Sequence, residues 1–236
     1  MPSQTAPIDV YFAATPNGRK VTIMLEELEV PYTIHPINIG RGDQFTPEFL
    51  AISPNNKIPA IVDPEGPDGK PLSIFESGAI LKYLALKFGK FYPADMRAQV
   101  KVDEWLFWQV GGFGPMLGQN HHFAIYAQEK IPYAIKRYRD ETHRLYGVLD
   151  KQIARMEAAG KQYVAGDFSI ADIAIIDWSN GYERQGIDIA EFPHFAAWRE
   201  RVRARPGTAR GLAVTVETKT DLATDKDAQK VLFNQR

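Results

Sequence analysis

The stretch SPNNKIPAIVDPEGPDGKPLSIFESGAILKYL, residues 53–84, decides how the first part of this chain folds. Ile58-Pro59-Ala60-Ile61-Val62 carries a strand signal with proline at its entry, where the missing N–H is not needed by a ladder. Asp63 to Lys70 is dense in turn residues, and Pro71-Leu72-Ser73-Ile74-Phe75 alternates as the returning strand of a hairpin. Ile80, Leu81, Leu84 and Phe88 then recur at helical spacing, with Ser77 as the expected N-cap. The N–H groups and positive dipole end of that helix face the strand ends, an edge on which a small extended peptide can set down a carboxylate.

Working outward, Ile8-Asp9-Val10-Tyr11-Phe12 is a short apolar strand, and Ala13 to Gly18 is a turn whose Thr15 or Asn17 can cap the next helix. Val21, Met24, Leu25 and Leu28 mark one face of that helix, and Pro31 stops it. Tyr32 to Ile39 reads as the next strand, followed by the loop Gly40-Arg41-Gly42-Asp43-Gln44 and a short helix around Pro47 to Leu50. This order predicts a small sheet with helices packed on it. Beyond a linker at Gly89 to Pro93 the strand signal fades. Val102, Trp105, Leu106 and Trp108 mark one helix, and Ile135, Tyr138, Thr142, Leu145, Leu149 and Ile153 form a stripe along another. Ser169-Ile170-Ala171-Asp172 opens a third as a capping box with aspartate in the usual glutamate position, and Pro193 to Arg203 supplies a fourth. Gly111 to Gly118 is expected to end the first of these helices in an open wall.

The expected organisation is an α/β domain over residues 8–90, an all-α domain over residues 94–211 and a tail over residues 212–236. The tail is expected to be extended or draped over the surface, with a core-forming pattern only at Ala228 to Phe233.

A net charge of −1, with lysine and arginine scattered among acids, argues against a nucleic-acid partner. No apolar run reaches the roughly 20 residues of a membrane span, and Met1 to Pro7 has neither the basic region nor the apolar core of a secretion signal. A cytoplasmic protein is expected. The 236 residues include no cysteine, which excludes structural disulfides, a thiolate zinc site and a protein-borne thiol nucleophile. Any sulfur chemistry must then come from a bound molecule. His121 and His122 are adjacent and lack the helical spacing of a two-histidine metal site, so no metal is expected.

Taken together, Asn56-Lys57-Ile58-Pro59-Ala60, Glu76-Ser77-Gly78-Ala79-Ile80 and Ser169-Ile170-Ala171-Asp172 resemble the cytosolic glutathione transferase family over about residues 8–210. Thr15-Pro16-Asn17-Gly18, Ser53 to Lys57, Gly111 to His122 and Ile131-Pro132-Tyr133-Ala134 resemble its bacterial nu-class, Ure2-like branch. The resemblance implies a thioredoxin-like first domain, a helical second domain, a homodimer, and glutathione as cosubstrate. It implies a cis bond before Pro59, leaving the Ile58 backbone to pair with the cysteinyl backbone of glutathione. It further implies that Glu76 meets the ammonium group, that Ser77 takes the γ-glutamyl carboxylate, and that Lys57 or Gln44 takes the glycyl end. Arg137 would reach glutathione across the dimer interface.

A free thiol has a pKa of about 8.5, and the thiolate is the reactive species. With cysteine absent and Tyr11 on the strand before the turn, Thr15 and Asn17 are the candidates to donate hydrogen bonds to the glutathione sulfur. The activity expected from this resemblance is glutathione-dependent disulfide reduction, in which the glutathione thiol attacks a small disulfide and a second glutathione resolves the product. Two other activities stand beside it: conjugation of small electrophiles or reduction of organic hydroperoxides, and non-catalytic glutathione sensing or partner binding. Each site residue also has an ordinary structural use. Thr15 and Asn17 suit a cap and a turn, Pro59 a trans strand entry, Glu76 a first-turn acid, and Arg137 a solvated face shared with Lys136, Arg139 and Asp140. Trp105, Phe107, Trp108 and Phe113 suit packing, and Asp172 a helix cap.

Overall fold

The computed structural model describes residues 4–217 and 224–233, which fold as two compact units. One runs to Gly89 and takes in the residues from Ala209 onward; the other spans Lys90–Thr208.

In the first unit, β1 (Ile8–Phe12), β2 (Tyr32–Pro36), β3 (Ala60–Asp63) and β4 (Leu72–Phe75) form one sheet in the order β2-β1-β3-β4. β1 and β2 are parallel, whereas β3 is antiparallel to both β1 and β4. The register puts Tyr11 opposite Ala60 and Ala60 opposite Phe75. β1 buries alternate residues, Ile8, Val10 and Phe12, as a half-buried strand must. Helix α1 (Pro16–Leu28) buries Val21, Met24, Leu25 and Leu28, and α3 (Ser77–Phe88) buries Ile80, Leu81, Leu84 and Phe88. These two helices pack together, and the short α2 (Pro47–Ile52) sets Phe49 against Ile37 and Ala60.

Asp63 anchors the hairpin turn. Its buried carboxylate accepts from Lys87 Nζ at 2.5 Å and Tyr83 Oη at 2.6 Å, and from the Glu65 N–H at 2.9 Å.

The second unit is helical: α4 (Met96–Trp108), α5 (Gly114–His121), α6 (Pro132–Ala158), α7 (Ile170–Ser179) and α8 (Pro193–Arg203). The stripe on α6 is buried from Thr142 to Ile153 and lies against α5 and α8. The capping box at the start of α7 is present in full. Asp172, fully buried, accepts hydrogen bonds from the Val164 and Ser169 N–H groups, from Ser169 Oγ and from Trp198 Nε1, joining α7 to α8. Burial pushes its carboxyl up to about 6 against the pull of those donors.

Two expectations need correction. Gly111 to Gly118 does not end the first helix of this unit. The chain continues through a π-helical turn, Gln109–Phe113, directly into α5. Phe113 explains the continuity, for it is fully buried with its ring stacked on Trp108 at 4.9 Å and beside Tyr146 at 5.4 Å. Nor is Ser77 the N-cap of α3: Glu76 holds that position and Ser77 is the first helical residue.

The end of the expected helical domain and the expected tail both belong to the first unit, which takes in the residues from Ala209 onward. The end of α9 (Pro206–Ala213) lies on α1, where Thr22 Oγ1 donates to the Gly211 carbonyl at 2.8 Å and Arg210 meets Glu26 at 2.6 Å. A Cβ on Gly211 would stand 2.4 Å from the Ile23 Cα, so the approach requires glycine. Ala228 to Phe233 falls within α10 (Lys226–Phe233), which buries Ala228 and Gln229. The part of the expected tail at residues 218–223 and 234–236 lies outside the described residues.

Asp172→Ala leaves three buried N–H groups without an acceptor. It should destabilise the protein by about 3 kcal/mol or more, read as a lowered urea midpoint.

Candidate functional site

Strand direction gathers the candidate residues. Because β3 runs against β1 and β4, the C-terminal ends of β1 and β4 and the start of β3 share one edge of the sheet. The Thr15–Gly18 turn follows β1, Ile58-Pro59 precedes β3, and Glu76-Ser77 follows β4. At this edge a pocket of about 170 Å³ is lined by Asn17, Lys57, Ile58, Pro59, Phe75, Glu76 and Ser77.

Thr15 is the N-cap of α1, its Oγ accepting from the Gly18 N–H at 3.1 Å. The hydroxyl proton is not used by that bond and remains to be donated. Gly18 is required here: a Cβ would stand 2.2 Å from the Ala13 carbonyl oxygen. Asn17, in the first turn of α1, reaches the pocket. Tyr11 does not line this pocket; its ring is stacked on His35 at 4.9 Å and packed against Phe49.

The opposite wall begins with the Ser53–Lys57 turn, tied by Ser53 Oγ to the Lys57 carbonyl at 2.8 Å. Burial lowers the pKa of the Lys57 amine. The Ile58-Pro59 bond is cis. Among the described residues the Ile58 backbone makes no hydrogen bond, so its N–H and C=O are open to an extended molecule lying in the pocket.

Glu76 has φ +69° and ψ +112°, a left-handed conformation that costs a non-glycine residue about 1–3 kcal/mol. Its carboxylate is not spent on capping α3, so the first N–H groups of that helix face the pocket with an acid beside them. Ser77 is buried and accepts a hydrogen bond from Lys20 Nζ at 3.2 Å. That contact explains the missed cap: the Ser77 side chain is turned toward α1 instead of back over its own helix.

Of the residues singled out in the sequence, the structure brings Asn17, Lys57, Ile58, Pro59, Glu76 and Ser77 into one pocket, with Thr15 at the cap beside Asn17. It does not bring Gln44 there. Gln44 is 4% exposed and its Nε2 donates to the Ile39 carbonyl at 3.1 Å, holding the loop after β2. Arg137 belongs to the second unit, where it is exposed near the start of α6, 3.7 Å from Glu141. Two residues escaped the sequence reading. Phe75 ends β4 and lines the pocket. Lys20, 1% exposed, lies on the buried face of α1 four residues before Met24, and that spacing is the only signal that could have revealed it. Burial lowers the Lys20 pKa to about 7, with Glu76 acting in the opposite direction. Among the described residues no cluster of histidine and carboxylate side chains suits a metal ion, and no helix is long and apolar enough to cross a membrane.

The glutathione S-transferase N-terminal domain model matches residues 14–87 and the C-terminal domain model residues 115–206. The chain is 54% identical over 206 residues to the disulfide-bond oxidoreductase YfcG of Escherichia coli K12, covering 87% of this chain and 94% of that protein. It is 34% identical over 248 residues to the transcriptional regulator URE2 of Saccharomyces cerevisiae, covering 89% and 69% respectively. A glutathione transferase family member from Pseudomonas fluorescens, solved with two glutathione bound, superposes with a TM-score of 0.80 at 42% identity. That match covers 89% of this chain and 95% of the solved one.

Lys20 carries a stability cost with a defined pH window. Its folded pKa, about 7, lies below the ordinary lysine value of 10.5, so the unfolded chain binds the extra proton between those values and stability rises with pH across them. Below pH 7 the penalty is complete. Lys20→Met should therefore stabilise the protein by about 2–4 kcal/mol at pH 6 and progressively less toward pH 10, measured by denaturant unfolding at several pH values.

Proposed function

The chain belongs to the glutathione S-transferase family, and on that premise we propose that it is a glutathione-dependent disulfide-bond oxidoreductase whose working thiol is that of bound glutathione. The observation that carries this reading is one pocket that joins the open Ile58 backbone, Glu76 and Ser77 at the start of α3 and Asn17 beside the Thr15 cap, in a protein with no cysteine of its own. Relatives support it: one is named a disulfide-bond oxidoreductase, and a solved neighbour holds two glutathione molecules.

In this reading glutathione lies along Ile58 with its cysteinyl backbone paired to the Ile58 N–H and C=O. Its ammonium group meets Glu76, and its γ-glutamyl carboxylate meets Ser77 and the first amides of α3. Lys57 takes the glycyl carboxylate in preference to Gln44, which is turned into the first unit. The sulfur then lies toward Thr15 and Asn17. Thr15 suits the task because Gly18 already occupies an acceptor position on its oxygen, leaving the O–H to point at sulfur. Lowering a thiol pKa from about 8.5 to about 6.5 needs roughly 2.7 kcal/mol of preferential thiolate stabilisation, within reach of two donors beside a helix N-terminus.

The thiolate attacks one sulfur of a small disulfide, forms a mixed disulfide with glutathione and releases the other half as a thiolate. A second glutathione thiolate attacks the glutathione sulfur of that mixed disulfide, giving glutathione disulfide and the second substrate thiolate. Two electrons pass from two glutathiones to one disulfide, and the protein is not oxidised. Family precedent supports a cytoplasmic homodimer, and in such a dimer the exposed Arg137 is available to the glutathione of the other copy.

Turnover of 2-hydroxyethyl disulfide with glutathione tests the proposal. The wild type should exceed uncatalysed exchange, and a combined Thr15→Ala and Asn17→Ala variant should lose about 100-fold in kcat/KM. No rate above background sinks the reading, and so does full activity in the double variant. Faster turnover of an aryl halide or cumene hydroperoxide would favour conjugation or peroxide reduction instead.

A further inference from the structure

Disulfide exchange at the pocket gives Lys20 no role, yet its side chain is almost wholly buried. Its neighbours on the buried face of α1 are Val21, Met24 and Leu25, and the side chain ends 3.2 Å from Ser77 Oγ. An ammonium group has donors and no lone pair, so at this contact Ser77 oxygen accepts and the Ser77 proton turns away from Lys20. Ser77 lines the pocket, and that proton is then presented to whatever acceptor lies there. A neutral amine reverses the contact. Its nitrogen can accept, the Ser77 O–H can turn inward, and the pocket loses a donor. The protonation state of Lys20 thus sets the polarity of Ser77.

We infer that Lys20 is a positioning residue that holds Ser77 as a hydrogen-bond donor to the γ-glutamyl carboxylate of glutathione, and that the ligand binds with uptake of a proton at Lys20. This rests on the glutathione reading of the pocket and deepens it. Among the described residues, the charged groups that line the pocket are Glu76 at the start of α3 and Lys57 in the Ser53–Lys57 turn. Glu76 favours the Lys20 cation, and the ligand ammonium offsets part of that effect when it pairs with Glu76. The ligand carboxylate acts in the other direction and more strongly, since on Ser77 it lies one hydroxyl group away from Nζ. With a free-state value of about 7, Lys20 is already charged at pH 5.5, where binding takes up no proton, and largely neutral at pH 8, where the carboxylate must recharge it. Affinity therefore falls as pH rises from 7 toward 9.

Calorimetric titration with S-methylglutathione, which has no thiol proton to lose, isolates the effect. Titrations at pH 8 in two buffers of different ionisation enthalpy should give uptake of about half a proton or more, and titrations at pH 5.5 none. Lys20→Met should abolish the uptake and raise Kd about tenfold or more at pH 6.5. No uptake by the wild type at pH 8 overturns the inference even if Lys20→Met does not fold, and so does uptake that persists unchanged in a folded Lys20→Met protein. A wild type that binds no S-methylglutathione at all overturns the glutathione reading, and the inference with it.

Discussion

In the first unit β3 runs against both of its neighbours, β1 and β4, and this sets where every residue of the pocket lies. Two reversals return the chain to the edge it left, with Tyr11, Ala60 and Phe75 in one row. The turn after β1, the proline entry to β3 and the exit from β4 must then meet. Two of those three points open helices, α1 and α3, so two helix N-termini meet at one small volume. A slip of one residue between β3 and β4 would turn alternate side chains to the other face and disperse the pocket.

The pocket also gathers several costs in one place. Glu76 is held at positive φ, Gly18 is needed because the Ala13 carbonyl leaves no room for a Cβ, and Lys20 is a buried amine set against Ser77. None of these improves packing. Each bears on a polar group at the edge of the sheet: the Glu76 carboxylate is not spent on its helix, the Thr15 hydroxyl keeps its proton, and the Ser77 oxygen accepts from Lys20. Strain and buried charge gathered at one place are characteristic of a site built for a ligand. In a protein without cysteine the thiol for disulfide exchange has to come with the ligand, and the proposed reading assigns Ile58 to its backbone and Thr15 and Asn17 to its sulfur.

The hairpin, the helices and the capping box at Ser169 to Asp172 were legible because each rests on local chemistry: alternation, helical spacing, turn residues and a cap. Most of the pocket was legible too, though it took family resemblance to give Thr15, Glu76 and Lys57 a meaning beyond caps and surface charge. What escaped depends on contacts distant in sequence. Ser77 looked like a cap, and the contact that removes it from that role comes from Lys20, 57 residues earlier. Gln44 sits in a polar loop that reads as exposed, but its amide is claimed by the Ile39 carbonyl. Gly111 to Gly118 reads as a helix end, and the packing of Phe113 on Trp108 and Tyr146 carries the helix through it. The fit of the end of α9 to the first unit was not legible because it depends on the absence of a side chain at Gly211.

The central claim is that bound glutathione supplies the only working sulfur and that the sheet edge aims it. Electron density from a glutathione-soaked crystal tests that claim most directly. The account predicts the γ-glutamyl carboxylate on Ser77 and the first amides of α3, the cysteinyl backbone paired with Ile58, and the sulfur within hydrogen-bonding distance of Thr15 Oγ or Asn17. Glutathione bound with its sulfur directed away from the Thr15–Gly18 turn, or bound elsewhere on the molecule with this pocket empty, would contradict it.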